Sequence, residues 1–502
     1  MSLVLDSRSG SNASRGHRGS NMQLSHAIAE SVQRHGSHAA LRGRDRTLSY
    51  DELWTESGRV LQQLRDQGIG RGSFVLVCSP NSVSWLTFFL AAVRAECLVG
   101  VLDSTVQLQY RETIVADLAP AAIFADGELR CPILAHGSAH AAHALERTTA
   151  MIAAGTQLLI FTSGSTGQPK GVLVSEENVV ANISWNADAF GLSHESVTCS
   201  FMPLCTFLSL SYVIACLAVG ATVLIEQNLS ELQKTLEGMS EAGVTHLNTV
   251  PLALRSIVER GDLEGHPLRA LRCIRVGAGA LTADLAERAF AAFPGARIVT
   301  TYGMTEIGIV ATRQWTAASA ASFDAGTFTH VTDGEELALV DDREGAGSEI
   351  QLSSAFLFRG YYDVANRSVE VRSGPYLTGD LGEWTGESGQ SVLRLRARRK
   401  QIAKVAGVLV NLDEVSRIGA SCGMVADSYA IGVDHPVLGE EVHLFVAEKA
   451  GCAVDPREVG RVLMETTTMK RVPRIHVIRA LPRTAMGKVS RADLERMARG
   501  LP

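Results

Sequence analysis

The chain has 502 residues, 46% hydrophobic and 20% charged, with a formal net charge of −6. It is too long for one ordinary core, so two or three domains are expected, and the slight acidity gives no reason to expect a nucleic-acid partner or an anionic membrane. Nine scattered cysteines without a Cys-x-x-Cys pair read as reduced, mostly buried thiols of a cytoplasmic protein, not as a disulfide framework or a zinc site.

Residues 1–22 are rich in Ser, Gly and Arg and lack an apolar stretch, which predicts a disordered leader. The pattern of Leu53, Val60, Leu61 and Leu64 predicts an amphipathic helix within 47–68, ended by Gly68 and Gly70. Strands are predicted at Phe74–Cys78, 98–102 and 121–124, alternating with helices over 83–95 and 107–117. Arg94 and Glu96 interrupt the longest apolar run, so no membrane insertion is expected. The Ala- and His-rich stretch 127–150 reads as a linker. His136, His140 and His143 could share a helical face there without forming a metal site.

Leu158 to Gly171 is the first stretch that carries chemistry. A short apolar strand breaks into Thr162, Ser163, Gly164, Ser165, Thr166 and Gly167, then Pro169, Lys170 and Gly171. Hydroxyls and backbone amides freed by glycine form a concave cradle for phosphate, and a lysine adds a mobile charge. The loop is neither a Walker A sequence nor a dinucleotide fingerprint. Only seven lysines occur in the chain, at 170, 234, 400, 404, 449, 470 and 488, so Lys170 and Lys488 are informative.

Helices over 176–190 and 230–243, another carrying Leu208 to Val213, and strands at Cys199–Leu204, Thr222–Ile225 and 244–250 continue the alternation. It predicts an α/β domain of parallel or mixed sheets covered by helices. Strands at Leu271–Val276 and Arg297–Thr301 deliver Gly277-Ala278-Gly279 and Tyr302-Gly303-Met304-Thr305-Glu306 to strand ends, where open sheets bind ligands. An aromatic ring can stack on adenine, a hydroxyl can meet phosphate, and a carboxylate can hold Mg²⁺.

From 316 onward, short alternating segments predict a small antiparallel, barrel-like subdomain. It contains Asp380, whose two acceptor oxygens suit vicinal ribose hydroxyls. A charged hinge at Arg394–Lys400 carries Arg398, and a small α+β domain follows, with Lys488 in a Gly-containing loop. The expected division is 23–396 for the large domain and 397–502 for the small one.

In order and approximate spacing these motifs resemble the adenylate-forming superfamily of acyl- and aryl-CoA ligases, peptide-synthetase adenylation enzymes and luciferases. The resemblance covers nearly everything after residue 23. It implies that Lys170 and its loop grip the β- and γ-phosphates of ATP, Tyr302 faces adenine and Thr305 meets the α-phosphate. Glu306 would hold Mg²⁺, Asp380 and Arg398 the ribose, and Lys488 would bridge the acid and ATP. Gly407 lies in a segment similar to the family's thiol tunnel. Ala397 departs from the Asp or Lys usual at the hinge.

The implied reaction is ATP-dependent activation of a small carboxylic acid, followed by transfer to CoA or to the phosphopantetheine of a separate carrier protein. A stand-alone amino-acid-activating enzyme and a non-catalytic nucleotide-binding relative are the alternatives. Thr206, Phe207, Gly277 and Gly303 align with the acid pocket. No acidic residue occurs between Glu195 and Glu226 to pair an α-amine, and burying an unpaired ammonium is costly. An apolar pocket for an acyl or simple aryl acid is therefore expected.

Overall fold

The protein is represented by a computed structural model describing residues 23–44, 46–105, 108–131, 139–162, 170–225, 229–279, 281–324, 326–332, 336–341, 347–387, 390–405, 408–466, 471–483 and 489–500. Two compact units are formed. One extends to Glu336 and takes in Ser353–Gly374; the other holds Leu337–Leu352 and the chain from Pro375 onward.

The first unit contains two large sheets. In one, the parallel strands Ala39–Arg42, Thr222–Ile225, Val197–Ser200, His246–Thr249, Cys273–Val276 and Arg297–Met304 lie side by side, and Gly308–Trp315 returns antiparallel beside the last. The other is centred on Thr156–Thr162, Leu98–Val101, Phe74–Cys78 and Ala122–Ala125, again parallel. Every residue of Phe74–Cys78 and Leu98–Val101 is buried, as expected of parallel strands covered on both faces. Local signals agree with the elements they start. The helix Tyr50–Asp66 opens with a capping box, in which Ser49 accepts from the Glu52 amide at 3.2 Å and Glu52 accepts from the Ser49 amide at 2.7 Å. Such a cap stabilises a helix by about 1 kcal/mol.

Three expectations are corrected. The stretch read as a linker contains the strand Glu128–Arg130 and the helix Ala139–Ala153. Ala144, Thr148 and Met151 are buried there at helical spacing, and alanine favours helix over coil. His143 on that helix pairs with Glu146 at 3.5 Å, and no metal-binding group of three side chains occurs among the described residues. The strand expected at Cys199–Leu204 is Val197–Ser200, and the pocket stretch after it is a loop ending at the helix Phe207–Ala218. Finally, part of the expected antiparallel subdomain joins the second large sheet. Gly360–Asp363 pairs with Lys170–Ser175, and Ser368–Val371 lies outside it. Gly171 makes room for this: a Cβ there would stand 2.7 Å from Leu159 Cδ1 and 3.2 Å from Tyr362 Cβ.

In the second unit, Ser348–Ser353, Tyr376–Glu387 and Gln390–Arg398 form antiparallel pairs. A further sheet orders Val408–Asn411, Ile402–Val405, Gly439–Glu448 and Val425–His435, with Arg474–Ile478 parallel to Gly439–Glu448. The helices Leu412–Ser421 and Pro456–Thr466 share one core with it through Val415, Ile418, Val459, Leu463 and Leu444. Leu494 of the helix Arg491–Ala498 packs with Ile431, Phe445 and Leu481 in a second cluster.

Candidate active site

Three parallel strands of the first unit end side by side, with Thr249 opposite Val276 and Val276 opposite Thr300. Gly277 therefore lies beside Thr301, and its amide donates to Thr249 O at 3.2 Å. A Cβ on Gly277 would be 2.8 Å from Thr301 Oγ1, so the turn needs glycine for close approach. Ala278 takes the left-handed backbone conformation, φ +60°, a strain of order 1 kcal/mol that clusters at functional turns. Gly279 lies 3.5 Å from the Pro251 ring, counted from its would-be Cβ.

The neighbouring strand carries Tyr302 to Glu306. Tyr302 is 6% exposed and its ring lies 5.9 Å from that of Phe328. A register shift after Tyr302 lets Gly303 pair with Ile309, and a Cβ on Gly303 would stand 2.2 Å from Gly308 O. The turn through Thr305 and Glu306 is pinned from a buried helix. Asn182 Nδ2 donates to Ile307 O at 2.8 Å, its Oδ1 accepts from the Ile309 amide at 3.3 Å, and Asn178 Nδ2 donates to the same Ile307 carbonyl at 3.2 Å. Both asparagines are fully buried. Their spacing of four along the helix Glu176–Phe190 looks like an ordinary polar face in sequence.

Glu306 is fixed at both ends. Its carbonyl accepts from the Phe358 amide at 2.7 Å, and its Oε1 accepts from the Tyr361 hydroxyl at 2.9 Å. The Lys170 ammonium lies 5.2 Å from the centre of the same Tyr361 ring, within reach of a cation–π attraction. Thr162 and Lys170 face each other across the hairpin that carries the phosphate-type loop. Ser163, Gly164, Ser165, Thr166 and Gly167 themselves lie outside the described residues. Lys170 also pairs in register with Asp363, whose carboxyl is held below its ordinary range by the Asn366 amide first, with the lysine charge adding to the effect. Tyr361 was not anticipated; in sequence it is one of two adjacent tyrosines with no distinguishing neighbour.

At the pocket stretch, Thr206 caps its helix, donating to Pro203 O at 2.9 Å and accepting from the Ser209 amide at 3.4 Å. Phe207 is fully buried. Behind this stretch is an unanticipated charge. Arg275 of the strand Cys273–Val276 is 1% exposed, and its Nη1 donates to Leu208 O at 2.9 Å and Asn248 Oδ1 at 3.1 Å. Burial lowers its pKa to about 10, which leaves it cationic at neutral pH.

In the second unit, Asp380 and Arg398 are opposite one another on a hairpin, with Arg398 Nε 3.0 Å from Asp380 Oδ1. Asp380 is buried, whereas the Arg398 side chain is 70% exposed. Gly379 adopts φ +76°, and its amide donates to Glu349 Oε1 at 2.8 Å, which sets the approach to Asp380. Asp413 lies close by; burial pushes its carboxyl up, and the Arg398 charge opposes that rise. Ala397 pairs with Leu381 in the same hairpin. Lys488 and Gly407 lie outside the described residues. Arg483 and Val489 pair in an antiparallel bridge.

Parallel strands that end in a glycine turn and a pinned acidic turn make an α/β protein of the kind that binds ligands at its strand ends. The profile of the AMP-binding enzyme family matches residues 28–362, and the chain belongs to that family. It is 25% identical over 492 residues to 4-coumarate–CoA ligase 5 of Oryza sativa subsp. japonica, covering 91% of this chain and 90% of that one. It is 24% identical over 507 residues to the hybrid PKS-NRPS synthetase pvhA of Talaromyces variabilis, which takes 93% of this chain but 12% of the much longer synthetase. The fold superposes on the anthranilate CoA ligase AuaEII bound to anthranoyl-AMP with a TM-score of 0.78 at 19% identity, over 96% of this chain and 98% of that one. No helix among the described residues is long and apolar enough to cross a membrane.

Proposed function

We propose that this protein activates an acyl or aryl carboxylic acid with ATP and passes the acyl group to a thiol, either CoA or a carrier-protein phosphopantetheine. The observation that carries this reading is the convergence of Lys170 and Glu306 on Tyr361. It places a cation and a carboxylate together beside a turn built for close backbone approach.

A carboxylate is a poor electrophile because its leaving group would be oxide. In the proposed first step a carboxylate oxygen attacks the α-phosphorus of ATP, the bond to the bridging β-oxygen breaks, and pyrophosphate leaves. Negative charges meet in that transition state, and Lys170 and Lys488 offset them. Thr305 stands next to Glu306 in the turn, within the stretch assigned to the α-phosphate. In the second step a thiolate attacks the acyl carbon, the carbon–oxygen bond to AMP breaks, and a thioester forms.

The residues present fit Mg²⁺. With Oε1 taken by Tyr361, Glu306 keeps Oε2 as a hard oxygen ligand. Mg²⁺ characteristically uses one or two carboxylates together with substrate phosphates and water, so a dedicated cage is not required. When bound, it would neutralise the phosphate charge that Lys170 also faces. Asp380 and Arg398 would take the ribose hydroxyls and Tyr302 the adenine. Cytoplasmic localisation is part of the same proposal, since both nucleotide and thiol donors are consumed.

The test is ATP–pyrophosphate exchange over a panel of acids, followed by thioester detection with and without CoA. Lys488→Ala should lower exchange by roughly 100-fold or more while nucleotide binding persists. Undiminished exchange in that variant would sink the assignment.

A further inference from the structure

Arg275 is charged and buried, yet only one of its three nitrogens has hydrogen-bond partners. Nη1 is satisfied by Leu208 O and Asn248 Oδ1. Nε and Nη2 are buried and have no hydrogen-bond partner. Phe190 and Tyr212 lie 5.1 and 5.3 Å from the guanidinium carbon, measured to their ring centres, and help to confine the group. Among the described residues no carboxylate pairs with it, and the chain has no acid between Glu195 and Glu226 that the facing helix could supply.

An unpaired buried charge is costly, and each orphaned buried donor adds roughly 1–3 kcal/mol. A fold that needed only a filled interior could place Met or Leu here more cheaply. The free atoms also have a defined shape. Nε–H and one Nη2–H point the same way along one edge of the guanidinium, the fork that grips a carboxylate through two parallel hydrogen bonds. Nη1, on the other side, is the anchored nitrogen. Arg275 is thus held by one corner with its carboxylate-binding edge unfilled.

Its position is next to the residues aligned with the acid pocket. Arg275 is two residues before the Gly277 turn, at the carboxyl end of its strand. The carbonyl it holds belongs to half-buried Leu208, within the stretch Met202–Ser211 expected to line the pocket. Asn248, its other partner, donates to Ser200 Oγ at 2.9 Å, and Ser200 lies 3.3 Å from Ser209 Oγ, so a polar wall continues under the same turn.

Resting on the adenylation reading, we propose that Arg275 recognises a second anionic group on the substrate: the acid is a dicarboxylate type, with its distal carboxylate on the Nε and Nη2 donors. The expected apolar pocket would then hold only the middle of the molecule. Entry of the distal group past Leu208 fills both donors and neutralises the charge together.

The experiment is pyrophosphate exchange by the full-length protein with matched acid pairs, adipate against hexanoate and terephthalate against 4-methylbenzoate. The diacid of at least one pair should have kcat/KM about 100-fold above its partner, because a site built to hydrogen-bond a group rejects analogues lacking it. Arg275→Met should bring the two within a few-fold of each other by removing the diacid's advantage, and Arg275→Lys, which keeps charge but loses the fork, should fall between. Monoacids equal to or better than diacids in every wild-type pair overturn the proposal and leave adenylation intact. Exchange with no acid at all overturns both. The wild-type comparison decides the matter even if a variant does not fold.

Discussion

The Tyr361 hydroxyl donates to Oε1 of Glu306 at 2.9 Å, while its ring carries the Lys170 ammonium 5.2 Å from its centre. One side chain thereby sets both the orientation of the carboxylate and the position of the cation proposed to meet the phosphates. Tyr361→Phe keeps the ring and removes the hydroxyl. A hydrogen bond to a charged group contributes about 1.5 kcal/mol or more, so kcat/KM for MgATP should fall roughly 10-fold. Titration of exchange activity against free Mg²⁺ should show a weaker apparent metal requirement constant in the variant, with partial rescue at high Mg²⁺. An unchanged Mg²⁺ profile would count against this role.

Gly308 has φ +97°, and a Cβ there would stand 2.0 Å from Asn182 Oδ1. Gly308→Ala should therefore displace the asparagine that pins the Glu306 turn and destabilise the first unit by roughly 2 kcal/mol or more. Gly238→Ala is the control. That glycine lies inside the helix Leu232–Glu241 with nothing within 4 Å of its would-be Cβ, so alanine should be neutral or stabilising by about 0.5–1 kcal/mol. Thermal unfolding of the two variants gives the comparison, and equal midpoints would refute the pinning.

Arg398→Ala separates stability from nucleotide use. Its side chain is 70% exposed, so solvent screens its pair with Asp380, and loss of the pair should cost less than about 1 kcal/mol. The KM for ATP should nevertheless rise about 10-fold if Arg398 meets the ribose. A large drop in melting temperature with unaltered KM would make the residue structural only.

Acid should weaken the first unit through His246. This imidazole is 4% exposed, with Nδ1 2.7 Å from Thr245 Oγ1 and Nε2 3.1 Å from Phe190 O. Burial lowers its pKa from 6.5 to about 4. Between those values the unfolded chain binds the proton and the folded chain does not, so stability rises with pH and falls as pH drops from about 6.5 to about 4. The full loss is on the order of 3 kcal/mol. Denaturant midpoints for wild type and His246→Gln at pH 7 and pH 5 should show a smaller decline in the variant. Parallel declines would rule out His246 as the source.

Periodicity and punctuation made most of the architecture legible. Phe74–Cys78 and Leu98–Val101 are continuous apolar runs because both faces of their sheet are covered, and Ser49 with Glu52 marks a helix start by a bond contained within four residues. The candidate stretches at 162–170, 277–279, 302–306 and 380–398 stand out in sequence for a similar reason: each is a local run of glycine, hydroxyl and charge. The helix Ala139–Ala153 was missed because its buried residues are small and its composition resembles a linker.

What the sequence by itself determined was the family's order of motifs and the alternating α/β plan, together with the residues proposed to handle phosphate, ribose and metal. Tertiary structure alone decided which distant groups complete them. Tyr361 reaches Glu306 only because Gly360–Asp363 crosses to pair with Lys170–Ser175, and Arg275 meets no carboxylate from the helix Phe207–Ala218, which carries no acid. Both facts depend on contacts between segments separated by tens of residues.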